Sequence, residues 1–103
     1  MIRAEFYESK GILKGFKMSG HAGYAESGSD VVCAAVSSAV QLTVNLLSEF
    51  DCEPQVSAVD NTVDCRITAS ANTASAMLEQ LKLHFEAILE EYPKTIKITI
   101  SEV

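Results

Sequence analysis

Val31-Val32-Cys33-Ala34-Ala35-Val36-Ser37-Ser38-Ala39-Val40-Gln41-Leu42-Thr43-Val44-Asn45-Leu46-Leu47-Ser48 carries no charged residue. A run of this length touches the lower limit for a membrane span. Ser37, Ser38, Gln41, Thr43, Asn45 and Ser48 interrupt it, and neither Trp nor Lys or Arg flanks it as an interfacial anchor. The segment therefore reads as a domain helix rather than a membrane span. Being apolar nearly all round, it needs cover on two sides. Asp30 is placed to start it as N-cap. Asp51-Cys52-Glu53-Pro54 ends it near Phe50, because proline disfavours helix at the residue before it.

Strand patterns lie on both sides of this helix. Ile2, Ala4 and Phe6 alternate with Arg3, Glu5 and Tyr7 over residues 2–8. Ser9-Lys10-Gly11 supplies a turn, and residues 12–19 read as a second strand weakened by Gly15, so the two predict a hairpin. Gly20 to Ser29 reads as a loop. Beyond the helix, Val56–Val59 and Val63–Ala69 read as strands joined at Asp60-Asn61, two residues that tolerate positive φ. Val63, Cys65 and Ile67 share one face of the latter.

Asn72 is the expected N-cap of a second helix. There Ala74, Met77, Leu78, Leu81, Phe85, Ile88, Leu89 and Tyr92 recur at helical spacing until Pro93 stops it. Ile96, Ile98 and Ile100 alternate in a last strand. The order is ββαββαβ. It predicts one α+β domain over residues 1–103, with a mixed or antiparallel sheet and two helices. The first helix would be buried on two sides, by a second sheet layer or a dimer partner.

The chain has 103 residues, 48% of them hydrophobic, and a formal net charge of −6. That is enough apolar material for one core. No linear basic run offers a phosphate-binding stripe, so direct nucleic-acid binding is disfavoured. An acidic surface suits a basic partner. The three cysteines are odd in number and no secretory signal precedes them, which places free thiols in a reducing cytoplasm.

Chemistry concentrates around His21 and Cys33. Cys33 falls in the first turn of a helix capped by Asp30, where orphan amides and the helix dipole favour a thiolate. An imidazole within reach can take the thiol proton, and the same amides can form an oxyanion hole. His21 stands at a strand end, across a loop bearing Gly23 and Gly28. Asp30 has two candidate jobs, capping the helix or orienting the histidine; capping needs only local geometry. Ser37 lies one turn beyond Cys33 on the same face. It can hydrogen-bond the thiolate or fill space. A buried helix cysteine is also commonly inert.

No cofactor is expected. Cys33, Cys52, Cys65, His21 and His84 lack the paired spacing of a metal site, and the glycine loop lacks the Lys-Ser/Thr pair of a P-loop. Cys65 reads as strand core, Cys52 as a loop bystander and His84 as a semi-exposed structural residue.

Gly20-His21-Ala22, followed by Gly28-Ser29-Asp30-Val31-Val32-Cys33-Ala34-Ala35-Val36-Ser37, closely resembles the signature of the ribosomal-processing cysteine protease family, Prp. The likeness extends along the chain in element order, to the leucine-rich second helix ending at Tyr92-Pro93. It implies a bacterial endopeptidase that removes a short N-terminal extension from a large-subunit ribosomal protein, cutting after a pair of phenylalanines before a small residue. It also implies that Cys33 is the nucleophile and His21 the general base, and that Asp30 and Ser37 fill the motif's other polar positions. The segment from Gly20 through Gly23, Tyr24 and Gly28 becomes a loop that orders over the peptide, with Tyr24 as a candidate lid residue. Homodimers are implied as well. Two rival readings stand beside this one: a non-catalytic acidic module for ribosome assembly or peptide binding, and an anion-binding domain that uses the helix start.

Overall fold

The N-terminal alternation produces the expected hairpin. β1 (Ile2–Ser9) pairs antiparallel with β2 (Ile12–Gly20) through a turn at Lys10 and Gly11, whose φ values of 53° and 79° match the twist of the flanking strands. The computed structural model describes residues 1–20 and 29–103, with side chains described from residue 31 in the second segment. After the hairpin come α1 (Ser29–Glu49), β3 (Pro54–Val59), β4 (Thr62–Ile67), α2 (Ala71–Glu91) and β5 (Ile96–Glu102), the order ββαββαβ. The five strands form one mixed sheet in the order β3-β4-β2-β1-β5, with β5 parallel to β1 and the other pairs antiparallel.

Strict alternation fails in β2, and a bulge explains it. Tyr7 pairs with Gly15 but Glu8 with Leu13, so Lys14 is the extra residue. The slip turns both Leu13 and Phe16 into the core. It also leaves the Leu13 N–H to donate to Ser75 Oγ on α2, at 2.9 Å. Gly15 is required beside the bulge, because a Cβ there would collide with the Cys65 carbonyl oxygen of β4.

Both helices contribute to one core with the sheet. Ala4, Phe6, Phe16 and Cys65 from the strands meet Val32, Leu47, Leu78 and Phe85 from the helices. The Phe6 and Phe85 rings sit 6.3 Å apart in a tilted arrangement. On α2 the helical stripe holds: Ala74, Leu78, Leu81 and Phe85 are buried. Burying each large side chain contributes about 1.5–3 kcal/mol.

Two helix starts differ from expectation. α2 begins at Ala71, so its cap is Ser70 rather than Asn72. Ser70 makes no side-chain cap bond; its hydroxyl donates instead to the Asp51 carbonyl, tying the end of α1 to the start of α2. α1 begins at Ser29, so Asp30 lies inside the first turn and is not the flanking cap. Cys52 also departs from its reading as a bystander. It is fully buried, its N–H bonds to the Leu47 carbonyl, and its own carbonyl accepts from Thr68 and Ala69. The chain leaving α1 thus passes beside the start of α2, with the Cys52 thiol facing the Ser70 carbonyl at 4.0 Å.

α1 has two unlike faces. Val32, Val36, Thr43 and Leu47 are buried. By length and composition Val31–Glu49 could cross a bilayer, but this inner face is committed to the sheet's core. The outer face is left open by the other described elements: Leu42 is 59% exposed and Leu46 38%. Among the described residues no second sheet layer lies over it.

The far side of the sheet is polar and closed by hydrogen bonds. Tyr7 donates to Asp64 at 2.6 Å while the Arg66 guanidinium lies 4.3 Å over its ring, and Ser101 donates to Glu5. Burial first, and then the bond to Asp64, push the Tyr7 phenol from 10.0 up to about 12. The folded-state value is raised, so its stabilising effect is complete below pH 10 and lost as pH climbs through about 12. Stability in urea should therefore fall across that window, and Tyr7→Phe should flatten part of the fall. An identical alkaline slope in the variant would show that Tyr7 does not drive it.

Candidate active site

Cys33 sits one turn inside α1, facing the end of β2 and the turn that joins β3 to β4. These elements enclose a cleft of about 340 Å³. Ile2, Met18, Val36, Val40 and Val63 make its apolar walls; Ser19, Gly20, Cys33, Ser37, Asp60 and Asn61 supply polar groups. The volume lies within the range of small-ligand sites. Strand register builds this wall, because Met18 pairs with Val63 and Ser19 with Thr62, which brings the Asp60-Asn61 turn level with the last residues of β2.

Gly20 ends β2 with φ 84°, a conformation that L side chains rarely adopt. A Cβ there would strike the Met1 carbonyl oxygen. Gly20 is thus the last residue of a strand rather than part of a loop.

Gly20, Cys33 and Ser37, three residues singled out by sequence, therefore line one cleft. His21, Gly23, Tyr24 and Gly28 lie outside the described residues, as does the side chain of Asp30. Since α1 starts at Ser29, Cys33 stands beyond the four orphan amides of the first turn. The helix dipole still points its positive end toward this part of the chain, with an effect that fades past that turn. Sequence reasoning missed Ile2, Met18, Val40, Val63, Asp60 and Asn61 as cleft residues. Their only local signals were strand alternation and turn chemistry, neither of which says which helix the turn will face.

The three thiols have different surroundings. Cys33 is half-buried, whereas Cys52 and Cys65 are fully buried. Burial, assisted by Asp51, raises the Cys52 thiol above its ordinary value. Burial, assisted by Asp64, pushes Cys65 up to about 11. Both are held as neutral thiols at physiological pH, which makes them poor nucleophiles. Among the described residues no group of His, Cys, Asp and Glu is arranged to hold a metal ion.

The sequence of the family described as Cysteine protease Prp matches residues 1–97. The chain belongs to the Prp cysteine protease family. It is accordingly a thiol protease, a hydrolase. Among curated proteins no relative matches. Among solved structures, the Streptococcus mutans protein SMU.848 is 30% identical, with a TM-score of 0.80 covering 100% of this chain and 96% of that one. The essential ribosomal processing protease Prp of Staphylococcus aureus is 24% identical and shares the fold. Two structures of it, one with a covalently linked product peptide and one with a substrate peptide, each give a TM-score of 0.86 over 98% of this chain and 100% of that one.

Reactivity should separate the thiols. At neutral pH iodoacetamide should modify Cys33 at least about tenfold faster than Cys52 or Cys65, read by peptide mass spectrometry, since alkylation follows exposure and thiolate fraction. Equal rates at all three would contradict the environments described.

Proposed function

We propose that this Prp-family protease removes a short N-terminal extension from a large-subunit ribosomal protein, cutting after an aromatic pair. The observation that carries the reading is the position of Cys33: a half-buried thiol at the wall of an apolar cleft, while the other two thiols are sealed in the core. An aromatic side chain finds apolar walls there in Met18, Val36, Val40 and Val63. The S. aureus relative, a ribosomal processing protease that holds substrate and product peptides, supports a peptide as ligand.

In this mechanism Cys33 is the nucleophile and His21 the general base. His21 follows directly on Gly20, which lines the same cleft. The imidazole accepts the Cys33 proton, and Sγ attacks the scissile carbonyl to form a tetrahedral adduct. The unpaired amides of the first turn of α1 stabilise its oxyanion. The adduct collapses as His21 gives the proton to the departing amine, leaving an acyl-enzyme. Water, deprotonated by His21, then releases the acid and restores the thiol. Asp30 orients the imidazole or acts at the helix start, and Ser37 hydrogen-bonds the thiolate or the peptide. The segment carrying Gly23, Tyr24 and Gly28 covers the bound chain.

The reaction takes place in the cytoplasm, and the protein works as a homodimer. Support for the dimer comes from the outer face of α1, where Leu42 and Leu46 border a groove of about 450 Å³ shared with Met77, Leu81 and His84 of α2. An exposed apolar face of this kind favours association.

A peptide with paired phenylalanines before alanine or serine should be cut after the second phenylalanine. Cys33→Ala should lower the rate by more than about 10³-fold while circular dichroism stays unchanged. Cleavage retained by that variant would sink the mechanism. Sedimentation should show a dimer that Leu46→Asp converts to monomer; a monomeric wild type at micromolar concentration would remove the dimer from the proposal.

A further inference from the structure

Asp60 stands out once the cleft is assembled. Among the described residues that line it, Asp60 carries the one charged side chain, and the rest are apolar, small or neutral. Its carboxylate has no hydrogen bond or ion pair among the described residues. An exposed carboxylate at the tip of a hairpin is ordinary. A carboxylate that is the one charge in a cleft otherwise lined, among the described residues, by apolar and neutral polar side chains is a selective element.

The backbone holds it in place. Asp60 and Asn61 make a two-residue turn closed by the Val59–Thr62 pair, and Asp60 takes φ 54°. β4 is in turn fixed to β2 by the Ser19–Thr62 and Met18–Val63 pairs. The position of the carboxylate relative to Cys33 is therefore set by sheet register rather than by a loose loop.

We propose that Asp60 selects for a lysine or arginine side chain in the bound peptide, next to the apolar side chain held by Met18, Val36 and Val63. The inference rests on the reading of this cleft as a peptide-binding site. A long basic side chain fits because its aliphatic stem can lie on Val63 while its head reaches the carboxylate. The net charge of −6 adds a general attraction for cationic peptides, while Asp60, the one charged side chain among the described residues lining the cleft, makes the preference depend on position along the peptide.

The test uses peptides with paired phenylalanines before alanine, in which Lys, Gln or Glu is walked through the positions on either side of the cut. At one position the full-length protein should prefer Lys over Gln by roughly two- to fivefold in kcat/KM at low salt. The preference should shrink as salt is added, since the pair is solvent-exposed. Asp60→Asn, which keeps a residue type that tolerates positive φ, should bring the Lys:Gln ratio near one, and Asp60→Lys should turn the preference toward Glu. A ratio that is the same in wild type and Asp60→Asn at every position overturns the inference. If no peptide is cut, the same ratio is read from fluorescence anisotropy of labelled peptides on Cys33→Ala. Binding that ignores charge then removes Asp60's role alone, and no binding by any peptide removes both this inference and the peptide-site reading beneath it.

Discussion

Strand β2 is paired on both edges, and its registers decide where the other elements can sit. The bulge at Lys14 matters most. Without the extra residue, Leu13 and Phe16 would face opposite sides of the sheet, and one of them would leave the core. With it, both are buried and the Leu13 N–H meets Ser75 of α2. One irregular residue thus turns a flat hairpin into the platform on which α2 docks. The same strand ends at Gly20 against Met1, and Gly20 lines the cleft together with Cys33.

α1 is shaped by two demands. Its inner face, with Val32, Val36 and Leu47, completes the core, and its start carries Cys33 into the cleft. Its outer face keeps Leu42 and Leu46 exposed. A helix that served only to close the core would normally place charges on that side. The absence of charge from residue 31 to residue 48 is thus explained on one face by burial. On the other face the sequence has left apolar surface that the other described elements do not cover.

Environment rather than residue type separates the three cysteines. Cys65 is locked under the sheet's core and Cys52 under the junction of the two helices, where desolvation opposes the charged form. Cys33 is instead half-buried at a cleft wall. Its helix begins two residues earlier than the cap pattern suggested, so the thiol stands behind the first-turn amides rather than among them.

The amino-acid sequence by itself determined the element order, the helical stripe Ala74-Leu78-Leu81-Phe85, the turn at Lys10-Gly11 and the segment on which Cys33 lies. These are local matters, governed by periodicity, turn chemistry and proline, and they are legible without knowledge of the fold. The starts of both helices were off by two residues; at α2 the Ser70 hydroxyl makes a long-range bond to the Asp51 carbonyl in place of a side-chain cap, which no local pattern encodes. The bulge, the burial of Cys52 and the union of Cys33 with Asp60, Asn61 and Val63 were decided only by the tertiary structure. Each depends on strand register and on packing between residues far apart in the chain. Such contacts are chosen by how the whole core closes, so no single window of sequence contains them.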